Sequence, residues 1–139
     1  PSHAIVRFSS LIGPSMKRNT MIPKMIDDAI RTQNITVWGN GDRLQNYLDV
    51  RDAARLLLQC AESKENIYAL GIGTYSYSNL EVAERIAETL KASITFTPGA
   101  DETGYRYSDR DTHHRMGFIP KFELEESIRE IIASWTPSS

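Results

Sequence analysis

The stretch that decides the fold is ITVWGNGDRLQNYLDVRDAARLLLQC, residues 35–60. Its first part, Ile35–Trp38, is a short β-favouring run that ends at the turn-forming sequence Gly-Asn-Gly. Tyr47–Val50 is a second extended run, and the apolar residues after it recur at helical spacing over Ala53–Ser63. These residues therefore predict a strand, a turn, another strand and a helix in direct succession.

The predicted helix in this stretch has a defined start and one apolar side. Asp52 lies just before it, where an aspartate side chain can accept from free helix N–H groups. We expect Leu56, Leu57 and Cys60 to form its buried side. Cys60 is the only cysteine of the sequence, so a disulfide within the chain is excluded and a reducing, cytoplasmic setting is expected.

Strands and helices also alternate outside this stretch. The other predicted strands are Ala4–Phe8, Asn66–Leu70 and Ile94–Phe96, and the other predicted helices are Thr20–Thr32, 79–91 and Leu124–Trp135. The second of these helices follows a capping-box sequence, in which Ser78 and Glu81 accept from main-chain N–H groups of the first turn. Such alternation predicts an α/β fold.

The first predicted strand, Ala4–Phe8, has no predicted neighbour close to it in sequence. A strand leaves its ladder groups unpaired unless another strand lies beside it. We therefore expect this strand to be completed by an N-terminal half, by another protein or by a second copy of the chain, which would make a homo-oligomer.

The overall composition is that of an ordinary globular protein. The sequence has 139 residues, of which 40% are hydrophobic and 24% are charged, and its net charge is −2. This balance argues against disorder, and the lack of a basic excess argues against nucleic acid as the main partner. No apolar stretch reaches the length of about 18 residues that a membrane-spanning helix needs, so no membrane association is expected.

Several segments, in order along the chain, are similar to the motifs of one enzyme family. Residues 5–14, IVRFSSLIGP, are similar to the motif R-x-x-N-x-Y-G-P. Residues 36–54 are similar to G-x-G-x-x-x-R-D-[FY]-x-x-V-x-D-x-[AV], and residues 107–109, 116–120 and 124–135 to later motifs. Together they resemble the extended short-chain dehydrogenase/reductase family, which includes NAD-dependent epimerases and dehydratases of the UDP-glucose 4-epimerase type.

The resemblance implies that residues 1–139 are a single substrate-binding domain, the C-terminal part of such an enzyme, lacking most of the Rossmann half. In the family, the N-terminal half binds NAD or NADP through a glycine-rich loop and carries a Tyr-x-x-x-Lys pair. Neither motif occurs here, because Gly71-Ile72-Gly73 has no third glycine at the right spacing and no tyrosine is followed by lysine four residues later. We therefore expect no catalytic residue in this chain, no NAD binding by the chain alone, and a nucleotide-sugar or related small molecule as its ligand.

The resemblance also implies which residues contact that ligand. Trp38 falls where the family has an aromatic ring beside the nucleobase, although an ordinary buried strand tryptophan is the alternative interpretation. Thr36 falls where backbone groups meet the base edge. Thr20 and Met21 approach the nucleotide from the start of a helix, whose free N–H groups suit a diphosphate. Ser10 stands in place of an asparagine and could still donate to a phosphate or a sugar hydroxyl.

The residues expected to bind phosphate depart from the family pattern. Gln45 and Asn46 stand where the family has an arginine and an aspartate, and an amide cannot neutralise a phosphate. Gln45 nevertheless remains a candidate substrate contact, and Arg43 and Arg106 are the candidate phosphate-binding cations. Solvated surface charge is the alternative interpretation of both arginines.

This altered set leaves three functions open. The chain is part of a nucleotide-sugar epimerase or dehydratase, part of a reductase that acts on a non-nucleotide substrate, or a stand-alone binding or assembly module. A metal site is not expected, because the side chains of His113 and His114 on a helix would point about 100° apart and no third ligand has suitable spacing.

Overall fold

The computed structural model of the chain describes residues 2–99, 104 and 116–136. The strands are β1 (Ala4–Phe8), β2 (Ser10–Ile12), β3 (Asn34–Trp38), β4 (Leu44–Asp49), β5 (Ile67–Gly71), β6 (Ser76–Ser78) and β7 (Ser93–Thr97). The helices are α1 (Met21–Thr32), α2 (Val50–Ala61), α3 (Asn79–Leu90) and α4 (Leu124–Trp135). Strands and helices alternate, which confirms the predicted α/β class.

Parallel pairing dominates the described strands. β1 lies parallel to β5, β2 parallel to β4 and β3 parallel to β7, while β6 runs antiparallel to β4. The expectation that β1 needs a partner from outside is therefore wrong for one of its edges, because β5 of the same chain pairs with it. No strand among the described residues pairs with the other edge of β1.

The main hydrophobic core lies between α1, α3, α4 and β3. Ile26, Ile35, Ile86 and Ile131 are fully buried there, one from each of these elements. Burying one such side chain stabilises the fold by about 1.5–3 kcal/mol. A second, smaller cluster joins α2 to the β1–β5 pair through Leu56.

α2 begins earlier than the sequence indicates. Asp49 is its N-cap and accepts from the Arg51 N–H, so Val50 is helical rather than part of a strand. Asp52 lies in the first turn and is fully buried. Its carboxylate accepts from the Lys121 and Phe122 N–H groups at 3.0 Å. The start of α2 is thereby joined to the segment that leads into α4.

α2 also carries a second apolar stripe, which the described residues leave uncovered. Leu57 is 48% exposed and Leu58 is 67% exposed. The prediction that Leu57 is buried is therefore wrong, whereas Leu56 and Cys60 are buried as predicted. Successive helix residues lie about 100° apart, so of the three consecutive leucines only Leu56 points to the core. Val50, Ala54 and the two leucines lie at helical spacing on this exposed side.

The two sides of α2 predict opposite responses to truncation. Leu56→Ala should lower the free energy of unfolding by about 2–5 kcal/mol, because it leaves a cavity in the small cluster. Leu58→Ala should change it by no more than about 0.5 kcal/mol, because that side chain is exposed. Urea unfolding followed by circular dichroism measures both, and a large loss in Leu58→Ala would show that the exposed stripe is covered in solution.

A buried carboxylate joins α2 to α4. Asp49 is 3% exposed and accepts from the Arg51 guanidinium at 2.9 Å and from the Ser127 hydroxyl at 2.6 Å. Arg51 also forms an ion pair with Glu130 at 2.6 Å. Burial by itself would raise the pKa of Asp49, but the hydrogen bonds from Arg51 and Ser127 outweigh it and hold the pKa below its ordinary value.

This lowered pKa predicts a loss of stability in acid. Since the folded-state pKa of Asp49 is depressed, its contribution is complete above the unfolded-state pKa of about 3.9 and disappears as the pH falls through the lower, folded-state value. The urea concentration at the unfolding midpoint of the unmodified chain should therefore decrease when the pH is lowered below about 4. Asp49→Asn should be less stable at pH 7 and show a weaker decline. Asp42→Asn, at an exposed position, is the control and should show the same decline in urea midpoint as the unmodified chain. If the midpoint of Asp49→Asn declines equally, this assignment is contradicted.

Candidate functional site

Two adjoining cavities lie along α1 and β4. The first has a volume of about 410 Å³ and is lined by Met21, Lys24, Met25, Asp28, Thr36, Val37, Trp38, Arg43, Gln45 and Asn79. The second has a volume of about 620 Å³ and lies between the start of α1, β2 and the segment that connects them. Both cavities are lined by Met21 and Gln45, so these two side chains form their common boundary.

The structure brings together the substrate-binding residues predicted from the sequence. Thr36, Trp38 and Arg43 line the first cavity, Ser10 and Thr20 line the second, and Met21 and Gln45 line both. Arg106 lies outside the described residues. These positions line the two adjoining cavities, which are together called the depression below, and their contact with a ligand stays a prediction.

Trp38 is the most exposed aromatic ring of this site. Along β3, Ile35 and Val37 are buried on one face, whereas Thr36 and Trp38 are on the other, and Trp38 is 72% exposed. The alternative interpretation, a buried strand tryptophan, is therefore wrong. Gly99 lies against the edge of the ring, where an added Cβ would be 3.3 Å from Cε3. The indole offers an open apolar face at the cavity wall.

The turn after β3 fixes the position of Trp38. Gly41 has a φ of +76°, and a Cβ there would lie 2.8 Å from Val37 Cγ1 and 2.9 Å from Leu80 Cβ, so only glycine fits. The Leu80 N–H donates to the Gly41 carbonyl, and the Asn79 N–H donates to the Arg43 carbonyl, both at 3.0 Å. The turn is thus held against the first residues of α3.

The capping box of α3 supports this arrangement from the other side. Ser78 Oγ accepts from the Glu81 N–H at 3.1 Å, and Glu81 Oε2 accepts from the Ser78 N–H at 2.7 Å. The predicted capping box is therefore confirmed. It fixes the helix start at Asn79, which lines the first cavity and whose Oδ1 is buried without a partner among the described residues. Sequence analysis missed Asn79 because only the tertiary fold shows where that residue points.

Residues two apart on β4 point toward the cavities. Arg43 lies just before the strand and lines the first cavity, Gln45 lines both, and Tyr47 lines the second. Burial raises the pKa of Tyr47 well above its ordinary value, with the charge of Arg43 acting weakly in the opposite direction. The phenol is therefore neutral at physiological pH. Arg43 and Gln45 therefore face the same cavity, although Arg43 lies just outside the strand.

Asn46 has a structural task rather than a ligand-binding one. It is 2% exposed, and its Nδ2 donates to the Gly73 and Tyr75 carbonyls at 3.0 and 3.1 Å. Its Oδ1 accepts from the Gly73 N–H at 2.8 Å. An aspartate, which the family pattern has at this position, could not donate to either carbonyl. The departure at position 46 therefore follows from how this chain holds the loop before β6.

Lys17 and Lys24 also line the cavities, and sequence analysis missed both. Lys24 lines the first cavity and Lys17 the second. A lysine is ordinarily a solvated surface residue, so nothing in the sequence distinguished these two from the others. Their position became evident only when α1 was placed against β4.

Comparison with known proteins identifies the family. The family model described as "NAD dependent epimerase/dehydratase family" matches residues 2–71, which is half of the chain. The chain belongs to this family. The resemblance read from the motifs is therefore confirmed.

Curated members of the family are longer than this chain. A low-salt glycan biosynthesis protein of Haloferax volcanii is 27% identical over 135 residues, covering 92% of the chain and 43% of the relative. A dTDP-glucose 4,6-dehydratase of Haemophilus influenzae is 26% identical over 147 residues, with the same two coverages. The chain thus spans less than half the length of these epimerase/dehydratase relatives.

Solved structures of the family share the fold. A UDP-glucose 4-epimerase from Thermotoga maritima, solved with UDP-glucose, superimposes with a TM-score of 0.83 at 15% identity, covering 95% of the chain and 45% of the epimerase. A dTDP-glucose 4,6-dehydratase from Bacillus anthracis, solved in complex with NAD, gives 0.81 at 19% identity, covering 95% and 44%. The chain therefore has the fold of part of an extended short-chain dehydrogenase.

The described residues hold neither a group of metal-ligand side chains nor a helix suited to a bilayer. No three histidine, cysteine, aspartate or glutamate side chains within residues 2–99 and 116–136 are grouped so that they could hold a metal ion. His113 and His114 lie outside the described residues. No helix in the described part of the chain has the length and apolar character needed to cross a bilayer.

The exposure of Trp38 can be measured without a ligand. Trp38→Ala should change the free energy of unfolding by no more than about 0.5 kcal/mol, because the ring buries little surface. Each tryptophan can be observed alone, Trp38 in the variant Trp135→Phe and Trp135 in the variant Trp38→Phe. Acrylamide should quench the fluorescence of Trp38 more strongly, because Trp135 donates to the Pro14 carbonyl and stacks under Arg18. A loss of several kcal/mol in Trp38→Ala would mean that the ring is buried after all.

Proposed function

We propose that this chain is the C-terminal, substrate-binding part of an NAD(P)-dependent nucleotide-sugar epimerase or dehydratase and is catalytically incomplete on its own. The observation that carries the proposal is the arrangement of the seven described candidate residues around two adjoining cavities. It is supported by relatives named as dTDP-glucose 4,6-dehydratases and by a structural neighbour solved with UDP-glucose.

The shape of the depression suits a ligand with two different ends. A nucleobase would lie on the open face of Trp38 in the first cavity, with Thr36 and Asn79 at its edge. Stacking on an aromatic ring contributes about 1–3 kcal/mol per base. The diphosphate would pass over Met21 and Gln45, and the sugar would enter the second cavity, where Ser10 offers a hydroxyl.

The dinucleotide cofactor belongs, in this proposal, to a part of the enzyme outside this sequence. NAD or NADP would supply the hydride transfer, and the residues of this chain would bind and orient the sugar. Gly71 and Gly73 are explained by packing, because a Cβ at Gly71 would collide with the Phe8 ring and one at Gly73 with the Tyr47 carbonyl. Both glycines are thus packed against this chain on the side where a side chain would project. A cytoplasmic location is part of the same proposal.

A non-nucleotide ligand is the second candidate function. The observation that favours it is Gln45, which stands at the common boundary of the cavities and carries no charge. Under this reading the chain is the substrate part of a reductase, or a binding module without catalysis. Both alternatives, the reductase part and the binding module, predict a folded chain that does not bind UDP or dTDP.

Isothermal titration of the 139-residue chain with UDP, dTDP and UDP-glucose tests the proposal. We expect measurable binding of at least one of them and none of NAD. Trp38→Ala should weaken nucleotide binding by roughly 5–150-fold, which corresponds to the stacking free energy. Phe96→Ala is a matched control, because Phe96 is a comparably exposed aromatic residue on the neighbouring strand and lines neither cavity.

The outcomes separate the functions. If the folded chain binds none of the three nucleotides, the nucleotide-sugar proposal is wrong and the second candidate function gains. If nucleotides bind but Trp38→Ala binds as tightly as the unmodified chain, the base does not stack on Trp38. Measurable binding of NAD would contradict the assignment of the cofactor to another part of the enzyme.

A further inference from the structure

The candidate site must hold a diphosphate without a charge at position 45. Gln45 can donate hydrogen bonds to a phosphate, but its amide brings no positive charge to neutralise it. Besides Arg43, which lines the first cavity, two lysines line the depression, Lys24 in the first cavity and Lys17 in the second. The common boundary itself is formed by Met21 and Gln45.

Lys24 lies on α1, and Lys17 lies in the segment just before it. Met21, Lys24, Met25 and Asp28 all line the first cavity, and their spacing places them on one face of the helix. Lys17 lies on the other side of the helix start, where its carbonyl accepts from the Thr20 hydroxyl at 3.1 Å. The first residue of α1, Met21, therefore stands between the two ammonium-bearing side chains.

Neighbouring charges leave the lysines available. Asp28 is the one acidic residue that lines either cavity among the described residues, and Arg31 pairs with it at 3.3 Å. Arg18 is also engaged, since it pairs with Asp27 at 3.7 Å and lies 4.0 Å over the Trp135 ring. Neither Lys17 nor Lys24 forms an ion pair within the described residues. The depression therefore has excess positive charge on both sides of its boundary.

We propose that Lys17 and Lys24 neutralise the diphosphate of the ligand, in place of an arginine at position 45. This inference rests on the proposed function and specifies how this chain binds the anionic part of its substrate. A lysine acts as a point charge on a flexible stem and lacks the planar fork of arginine. Binding should therefore depend on electrostatic attraction that salt screens, because both side chains are exposed.

The experiment compares a charged and an uncharged ligand that share one base. UDP and uridine are titrated into the unmodified chain, into Lys17→Met, into Lys24→Met and into the double variant. The double variant should lose at least about tenfold in affinity for UDP, while its affinity for uridine stays within about twofold. Each single variant should lose part of this, and raising the salt concentration should weaken UDP binding less in the double variant.

A matched control and a rescue sharpen the test. Lys64→Met removes an exposed lysine that lines neither cavity, so UDP binding should not change. Gln45→Arg in the double variant should restore much of the lost UDP affinity, because it returns a guanidinium to the boundary between the cavities. Since both lysines are exposed, urea midpoints of all variants should match that of the unmodified chain.

Each result decides the inference. Unchanged UDP affinity in the double variant would overturn it while leaving the proposed function intact. An equal loss for UDP and uridine would also overturn it, because the lysines would then act on the base or on the fold. If the chain binds dTDP and not UDP, the same comparison is made with dTDP and thymidine. If the folded, unmodified chain binds neither UDP, dTDP nor UDP-glucose, the proposed function is wrong and the inference is overturned with it.

Discussion

Two main-chain hydrogen bonds hold the candidate site together. The N–H groups of Asn79 and Leu80, at the start of α3, donate to the carbonyls of Arg43 and Gly41 in the turn between β3 and β4. First-turn N–H groups have no partner within their own helix, so the turn satisfies donors that would otherwise be free. This contact brings together three residues that line one cavity: Trp38 at the end of β3, Arg43 in the turn and Asn79 at the start of α3.

Buried polar side chains perform the same task elsewhere in the chain. Asp52 joins α2 to the residues before α4, Asp49 joins α2 to α4 itself, and Asn46 holds the loop before β6. Each is buried, and each accepts or donates the hydrogen bonds that its burial requires. Polar residues that coincide with a family motif are thus divided between those that hold the site in place and those that face it.

Most elements could be predicted from local pattern, and the exceptions have tertiary causes. The capping box placed the start of α3, and apolar spacing placed α1 and α4 within about a residue. β2 and β6 have three residues each, and only their pairing with β4 makes them strands. The family motif led to Trp38, but the part that Lys17 and Lys24 play could not be foreseen, because cavity walls form between segments distant in sequence.

The common boundary at Met21 and Gln45 limits how this site can diversify. Under the proposed function, a substitution at either position would alter both cavities together, so selection for one end of the ligand would also change binding of the other end. Thr36 and Trp38 line only the first cavity, and Ser10 only the second. These residues can vary one end at a time. Specificity for each end of the ligand can therefore evolve separately only while Met21 and Gln45 are left unchanged.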